Sequence, residues 1–257
     1  MPELPEVETT KKGLEKTKGA FFIDVWTDTP KLIKKPSFSE FKKRIKGKKI
    51  KEIRRIGKNI ILDLSDDYSL LIHLKMTGSL LYGEVKDKYI HLIFFLNNGS
   101  QLALSDVRKF AKVELHKTKE LKLDIGPDAL KEKLNLKGKK GRIKTVLMDQ
   151  KTIGGIGNIY SDEILFDSKI NPFKKTNELN KKELDKLQKS TTKIFKKAVL
   201  ERGTSVSDYK TTSGKKGGYA QFLKVYQKEK CPICQTKLKR AKIGGRTAHF
   251  CSQCQKL

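Results

Sequence analysis

Between residues 20 and 115, hydrophobic and polar positions alternate along the chain, which is the period of β-strands with one buried face. Short polar turns interrupt the alternation at Ser65-Asp66-Asp67 and at Asn97-Asn98-Gly99. Such turns between alternating runs are typical of antiparallel hairpins in a sandwich or barrel. The hydrophobic members of the predicted strands are Ile60, Leu62, Leu64, Leu70, Ile72, Leu74, Ile90, Leu92, Phe94, Leu96, Leu102 and Leu104.

Helical spacing precedes and follows this β-rich part. Residues 10–17 suit a short helix near the N-terminus. Later, Asn180 and Glu183 form a plausible cap pair, with the Glu at the third helical position, and Gly203 closes the segment. One apolar face is predicted for this helix, formed by Leu184, Leu187, Ile194, Phe195, Ala198 and Val199.

Changes of composition divide the chain into three predicted domains, without internal repeats. Residues 117–122 are strongly charged, and Gly126-Pro127-Asp128 reads as a turn or helix start. Residues 203–220, rich in Gly, Ser, Thr and Lys, are predicted to form a mobile loop. The fold class predicted is multidomain α+β. It comprises a β-sandwich domain at 1–116, a helical domain with the mobile loop at 117–220, and a small C-terminal domain at 221–257.

The charge of the chain favours a polyanionic partner. The sequence has 57 Lys and Arg against 29 Asp and Glu, a net charge of +28. Surplus lysine can also reflect solubility or codon bias, but a field this strong attracts nucleic acid, with an anionic membrane surface as the second choice. No apolar run approaches the roughly 20 residues of a membrane span. The acidic first residues do not resemble a signal peptide, so we expect a soluble, cytoplasmic protein.

All four cysteines lie near the C-terminus, in two C-x2-C pairs. They are Cys231, Cys234, Cys251 and Cys254. This spacing matches a structural zinc site with four thiolates, and two disulfides are the less favoured alternative because nothing else suggests a secreted protein. A site closed by four thiolates leaves no position for water. We therefore predict one structural Zn²⁺ that folds the tail and performs no chemistry.

The N-terminus offers a candidate nucleophile. Removal of Met1 would leave Pro2 as a terminal secondary amine beside Glu3. A terminal amine titrates near pH 8 and lysine near 10.4, so at neutral pH the unprotonated fraction of the terminus is larger by roughly two orders of magnitude. An unprotonated secondary amine can attack a sugar carbon and form a cationic iminium, which promotes elimination. Taken alone, a Met-Pro start is common and carries little weight.

Several blocks along the chain together resemble bacterial formamidopyrimidine-DNA glycosylases. In chain order they are MPELPEVETTKKGL at the N-terminus, GKN around Lys58, HLKMTGSL at 73–80, DVRKFA at 106–111, LMDQKTIGGIGNIYSDEILF at 147–166 and GGRTAHFCSQCQ at 244–255. The resemblance covers nearly the whole chain. It implies an N-terminal β-sandwich, a helix–two-turn–helix domain and a C-terminal zinc-finger hairpin.

The same resemblance implies catalytic roles for four residues. Pro2 would be the Schiff-base nucleophile, and Glu3 the general acid that protonates the sugar ring oxygen. Lys58 would donate a proton in β-elimination and contact phosphate, although a solvated surface lysine is the ordinary alternative. Arg246, five residues before Cys251, would bind phosphate and assist δ-elimination. A zinc-stabilised hairpin suits such bidentate contact.

Further residues are implied in DNA binding. Met76, Arg108 and Phe110 match the trio that fills the gap left by a flipped nucleotide, although Met76 and Phe110 could instead be core residues. The glycine-rich turn 154–157 precedes a helix whose N-terminus suits a phosphate. The remaining predicted DNA contacts are His73, His91, Lys140 and Asn158. Tyr160 is expected to pack nearby rather than bind DNA, and a structural role for His73 is nearly as well supported.

The function implied is base-excision repair by a monomeric glycosylase and lyase that acts on oxidised purines in double-stranded DNA. The related endonuclease VIII type, specific for oxidised pyrimidines, is second because its members usually begin MPEGPE and this chain has Leu4. A non-catalytic binder of damaged DNA and an RNA-binding zinc ribbon are the alternatives from other classes. The match loosens at VYQKEK before Cys231 and in residues 203–220, so the sequence leaves the preferred lesion open.

Overall fold

The structure is a computed structural model that describes residues 1–257, and it divides into two compact units. Unit 1 consists of Met1–Leu123 and Glu201–Gly218, and unit 2 of Asp124–Leu200 and Tyr219–Leu257. Glu201–Gly218 therefore groups with the N-terminal part of the chain, whereas the sequence assigned these residues to the helical part. The division into three domains at 116 and 220 stays a prediction.

Unit 1 contains two β-sheets that share one hydrophobic core. Its strands are β1 Phe22–Thr27, β2 Ile33–Lys35, β3 Ile50–Ile56, β4 Asn59–Leu64, β5 Tyr68–His73, β6 Gly78–Gly83, β7 Ile90–Leu96, β8 Gln101–Asp106 and β9 Lys112–Lys117. The sheet orders are β1-β7-β8-β6 and β2-β9-β5-β4-β3. The core contains buried residues of both sheets, such as Phe94 and Ile72. The predicted sandwich is confirmed, with one parallel pair, β2 and β9, among the antiparallel ones.

Strand alternation is incomplete in the second sheet. Ile60, Leu62 and Leu64 face the core as predicted, but Ile61 is also fully buried. Helix α1, Leu4–Leu14, packs on β3 and β4. The helix that carries the N-terminal catalytic candidates is thereby attached to the hairpin that carries Lys58.

Helix α1 begins six residues before the helix expected from the sequence, and the expectation of a helix at 10–17 was wrong in this respect. Glu3 occupies the N-cap, and its backbone N–H donates to Glu6 Oε2 at 2.8 Å. Pro5 lies in the first turn, where a missing N–H costs no helical hydrogen bond. A single 3₁₀ turn, Glu15–Thr17, extends the helix. A second helix of this unit, α2, spans Phe38–Ile45.

Unit 2 is helical and ends in a β-hairpin. Its elements are α3 Ile143–Met148, α4 Asn158–Asp167, α5 Lys181–Leu200, β10 Lys239–Ile243 and β11 Arg246–Phe250. The predicted cap of α5 is confirmed, since the Asn180 N–H donates to Glu183 Oε2 and the Glu183 N–H to Asn180 Oδ1, both at 3.0 Å. Leu187, Ile194, Phe195 and Ala198 are buried, whereas Leu184 is exposed.

The helices of the chain are short or polar. None of them has both the length and the apolar character required to cross a membrane.

Candidate catalytic and DNA-binding residues

Pro2 and Glu3 lie at the N-terminus of α1. Pro2 is buried, and Glu3 is only 2% exposed. The hydrogen bond from the Glu3 N–H to Glu6 fixes the backbone directly after Pro2. The helix cap therefore fixes the position of the two predicted catalytic residues, although they lie at the end of the chain.

Glu6 also anchors the segment Glu201–Gly218, which overlaps the mobile loop predicted from the sequence at 203–220. Its Oε1 accepts the backbone N–H of Thr204 at 2.6 Å, and its carbonyl accepts the Tyr209 hydroxyl at 3.1 Å. Tyr209 is 5% exposed, and Thr212 contributes a carbonyl that accepts the Tyr82 N–H at 2.8 Å. The segment is thus attached to unit 1 at several points between its two ends.

Lys58 lies in the two-residue turn between β3 and β4. Ile56 pairs with Asn59, so Gly57 and Lys58 are the turn residues. Gly57 has a φ of +56°, and Gly is favoured at the first position of such a turn because it has no Cβ. Lysines in hairpin turns are normally solvated, yet Lys58 is 6% exposed. Lys58 shares this burial with Lys144 alone among the lysines of a highly basic chain.

His73 lies beside the Lys58 turn, because it pairs with Asn59 across β4 and β5. Its Nδ1 accepts the Lys75 N–H at 2.9 Å. Burial, together with the positive charges of Lys75, Lys58 and Lys112, lowers the pKa of His73 to about 3. The ring is neutral at physiological pH, and with Nδ1 as acceptor its proton lies on Nε2, which is a donor suited to a phosphate oxygen.

Met76, Arg108 and Phe110 lie on two loops of unit 1. Phe110 is 51% exposed, which excludes the core position considered from the sequence, and Met76 is half-buried. Arg108 is exposed, and its guanidinium lies over the Phe110 ring at 4.6 Å from the ring centre. An exposed aromatic ring with a stacked guanidinium is suited to insertion between bases.

A buried carboxylate shapes the loop that carries Arg108 and Phe110. Asp106 is fully buried, and its Oδ2 accepts the backbone N–H groups of Phe110 at 2.7 Å and Ala111 at 2.8 Å. Its Oδ1 accepts the Thr77 hydroxyl, and Thr77 Oγ1 accepts the Arg108 N–H at 3.1 Å. The Met76 loop and the Phe110 loop are therefore joined through one Asp.

Two other predicted DNA contacts, His91 and Lys140, differ in burial. His91 is 7% exposed, and its Nδ1 lies 2.9 Å from Asp28 Oδ2 in unit 1. Lys140 is exposed in a loop of unit 2. Their DNA contacts stay predictions.

Asn158 is the first residue of α4 and follows the glycine-rich turn as predicted. Gly157 is the N-cap, with an extended backbone. Asn158 Oδ1 is buried without a hydrogen-bond partner. An amide rotated by 180° would present Nδ2–H donors at the same place, beside the positive end of the helix dipole. This arrangement suits a phosphate. Tyr160 is fully buried and packs on Phe195 and Tyr219.

The four cysteines form one compact cluster in unit 2. Their Sγ atoms lie within 4.8 Å of one another, with Cys231 and Cys254 at 3.8 Å and Cys234 and Cys251 at 3.4 Å. Tetrahedral Zn–S bonds of about 2.3 Å place two sulfurs about 3.8 Å apart. Backbone N–H groups of Ile233 and Cys254 point at thiolate sulfurs, which stabilises negative charge. The residues fit one structural Zn²⁺, and the predicted zinc site is confirmed.

Arg246 is exposed at the start of β11, directly after the hairpin turn. Ile243 pairs with Arg246, and the turn residues Gly244 and Gly245 both have positive φ, +56° and +74°. Glycine at both positions permits this tight turn. A Cβ on Gly244 would lie 2.9 Å from Thr145 Oγ1 of α3, so the turn also packs closely on a helix.

Helix α4 connects Asn158 with the zinc module. Glu163, on this helix, accepts the backbone N–H groups of Lys224 at 2.8 Å, Val225 at 3.0 Å and Tyr226 at 2.9 Å, just before the first cysteine pair. Burial raises the pKa of the Glu163 carboxyl above its ordinary value, and these three donors offset only part of the rise. The Glu163 side chain thus anchors the backbone of the segment that leads into the zinc module.

The sequence reasoning did not identify these supporting carboxylates. Asp106, Glu163 and Glu6 accept hydrogen bonds from backbone N–H groups of segments that carry predicted site residues. The available signal was an acidic residue inside each of the three sequence blocks that carry site residues. Their partners are distant in sequence or depend on loop conformation, so spacing alone could not reveal them.

Comparison with known proteins identifies three matching family regions. The formamidopyrimidine-DNA glycosylase N-terminal domain matches residues 1–113, and the H2TH domain of the same enzymes matches 120–210. The zinc finger found in FPG and IleRS matches 228–257. Together these regions span almost the whole chain.

Complete relatives and solved structures agree with these matches. Formamidopyrimidine-DNA glycosylases of Pelotomaculum thermopropionicum and Carboxydothermus hydrogenoformans are 38% and 39% identical, each with 100% of both chains covered. A Lactococcus lactis FPG variant in complex with Fapy-dG containing DNA has a TM-score of 0.91 at 35% identity, with 100% of both chains covered. Lactococcus lactis Fpg with abasic-site DNA gives 0.90 at 35% identity, over 99% of this chain and 100% of that one. The chain therefore belongs to the formamidopyrimidine-DNA glycosylase family.

Proposed function

We propose that this protein is a bifunctional DNA glycosylase and AP lyase that removes oxidised purines, such as 8-oxoguanine and formamidopyrimidines, from double-stranded DNA. The observation that carries the proposal is the burial of Pro2, Glu3 and Lys58 in one unit, on elements packed against each other. Relatives that match over their full length are named formamidopyrimidine-DNA glycosylases, and one solved neighbour holds Fapy-dG containing DNA. The protein would act as a monomer in the cytoplasm, at the nucleoid.

The first step joins protein to sugar. After removal of Met1, the lone pair of the Pro2 nitrogen forms a bond to the deoxyribose C1′ as the damaged base leaves with the electron pair of the glycosidic bond. The N–H proton of Pro2 is then transferred to the departing base. Glu3 then protonates the ring oxygen as the C1′–O4′ bond opens, which leaves a cationic iminium. A secondary amine necessarily gives this cation, which accepts electrons in the next step.

Strand cleavage follows by elimination. Loss of a C2′ proton to water converts the iminium to an enamine, whose electrons then expel the 3′ phosphate. Lys58 would contact this phosphate and donate a proton to it as it leaves. Arg246 would stabilise the second leaving phosphate in δ-elimination, because a guanidinium binds two phosphate oxygens at once. Its exposed position after the hairpin turn supports this role.

Base flipping requires a group that fills the gap. Met76, Arg108 and Phe110 would insert into the duplex, and His73, His91, Lys140 and Asn158 would contact the backbone. The exposure of Phe110 and its stacked guanidinium support insertion.

The test uses duplexes that contain 8-oxoguanine, an oxidised pyrimidine or a preformed abasic site, each with borohydride. We expect a covalent adduct on the purine lesion and on the abasic site, reduced at least 100-fold by Pro2→Gly, which removes the ring. Glu3→Gln should lose base excision yet retain adduct formation on the abasic site, whose sugar is already open. Mass spectrometry of the N-terminus is the control for removal of Met1.

Two outcomes would overturn the proposal. Absence of any adduct from the parent protein would leave a binder of damaged DNA, and preference for the pyrimidine lesion would indicate the endonuclease VIII type of specificity.

A further inference from the structure

A buried arginine connects the two elements that carry Pro2, Glu3 and Lys58. Arg55, near the end of β3, has a side chain that is 1% exposed. Its Nε donates to Glu8 Oε2 on α1 at 2.7 Å, and its Nη1 donates to the carbonyl of Gly57 at 2.9 Å. Gly57 is bonded directly to Lys58. One guanidinium thus contacts both the catalytic helix and the catalytic turn.

From this geometry we propose that Arg55 is a positioning residue that sets the placement of Lys58 relative to Pro2. The proposal rests on the proposed function, in which these two residues act in successive steps. The Glu8 side chain is 13% exposed, so the ion pair is largely shielded from water and weakly screened. The planar guanidinium fixes the directions of its two donors, whereas an ammonium is a point charge.

The two contacts of Arg55 differ in what they support. Helix α1 is independently held by its capping box and by the buried residues Leu4 and Val7. In the turn, Arg55 donates directly to the backbone of the residue next to Lys58, and Gly57 itself is conformationally permissive. Loss of the bond to the Gly57 carbonyl should therefore disturb Lys58 more than Pro2.

The adjacent residue provides a matched control. Arg54 lies on the same strand and also forms an ion pair, with its Nη2 2.8 Å from Asp63 Oδ1. Arg54 and Asp63 lie on the opposite face of the sheet from Arg55, because side chains alternate along a strand, and the Arg54 side chain is 39% exposed. The control replaces the same kind of side chain without a connection to either catalytic element.

The experiment compares Arg55→Lys with Arg54→Lys in single-turnover reactions on an abasic duplex. Borohydride trapping measures the rate constant of Schiff-base formation, and strand cleavage without borohydride measures elimination. For Arg55→Lys we expect elimination to slow about tenfold with trapping within twofold of the parent, as expected for lost positioning of one group. For Arg54→Lys both rate constants should be unchanged.

The ratio of the two rate constants separates positioning from a general loss of structure. Partial unfolding lowers the amplitude of both reactions equally and leaves their ratio unchanged. If Arg55→Lys does not fold, Glu8→Gln weakens the same connection while it keeps an acceptor, and the ratio should change in the same direction. An unchanged ratio in a folded Arg55 or Glu8 variant would overturn the inference. Failure of the parent protein to form any adduct would instead refute the proposed function.

Discussion

The Asp162 carboxylate holds His249 by two hydrogen bonds to one oxygen. Oδ2 of Asp162 accepts the backbone N–H of His249 at 3.0 Å and lies 2.9 Å from its Nδ1. The other oxygen accepts the ammonium of Lys144 at 2.6 Å, and both Lys144 and Asp162 are buried. Asp162 is on α4, four residues after Asn158, and His249 is on β11, three residues after Arg246. One carboxylate therefore connects the helix and the hairpin that carry two predicted phosphate ligands.

We expect Asp162→Ala to lower the free energy of unfolding by about 3–5 kcal/mol, because it leaves the Lys144 ammonium buried without its counter-ion. Urea denaturation measures this. Asp124→Ala is the control, since Asp124 pairs with Lys151 where both side chains are more than two-thirds exposed, and its stability should match the parent. Equal stability of the two variants would contradict a structural role for the buried pair.

Phe110→Ala should weaken lesion recognition without loss of stability. The ring is 51% exposed, so its removal creates no cavity. We expect binding to a duplex with an abasic-site analogue to weaken by about tenfold, since the stacking of one aromatic side chain on bases contributes roughly 1–3 kcal/mol. Fluorescence anisotropy measures the affinity. Phe94→Ala is the contrasting variant, because Phe94 is fully buried and its loss should cost about 3–5 kcal/mol of stability. A Phe110→Ala variant that binds the duplex as the parent does would argue against insertion.

The lowered pKa of His73 predicts a pH dependence of stability. Its folded pKa of about 3 lies below the unfolded value of about 6.5, so as pH falls the unfolded chain takes up the proton first. Stability from this group is present above pH 6.5 and is lost as pH falls toward 3, by at most about 1.4 kcal/mol per pH unit. We expect His73→Gln to reduce the slope of unfolding free energy against pH between 4 and 6.5, and to leave it unchanged above pH 7. Parallel slopes for variant and parent would show that His73 titrates normally.

Removal of zinc should unfold part of unit 2 and leave unit 1 folded. Zinc binding by four thiolates supplies on the order of 10 kcal/mol to folding of such modules, so a strong chelator should unfold the hairpin that positions Arg246. We expect weaker DNA binding and slower δ-elimination, restored by added Zn²⁺. Trp26, the one tryptophan of the chain, lies in β1 of unit 1, and its fluorescence should be unchanged. Full nicking activity after verified zinc loss would contradict the role of Arg246.

DNA affinity should also fall steeply with salt. A net charge of +28 and several phosphate contacts imply release of counterions on binding. Titrations at increasing salt should give a linear decrease of the logarithm of affinity with the logarithm of salt concentration. Lys140→Ala should make this slope shallower by about one unit if Lys140 contacts a phosphate. An unchanged slope would remove Lys140 from the interface.

Local patterns of the sequence predicted much of the fold and the chemistry. Alternation between polar turns predicted the hairpins, the Asn180–Glu183 pair predicted a helix start, and the cysteine spacing predicted the zinc site, because each of these depends on residues close together in the chain. The helix at the N-terminus was misplaced. The helix starts at the Glu3–Glu6 cap, but Pro2 and Pro5 beside it are residues that disfavour a helix interior, so the local pattern did not indicate a helix there.

The sequence by itself determined the types of residue available for catalysis, metal binding and DNA contact, since side-chain chemistry and short-range spacing are written in the chain. Only the tertiary structure decided that Lys58 is buried, that Phe110 is exposed, and that Arg55, Asp106 and Asp162 support the segments around the predicted site. Burial and long-range hydrogen bonds depend on which distant segments pack together. Arg55 and Glu8 are 47 residues apart, and no local pattern specifies that contact.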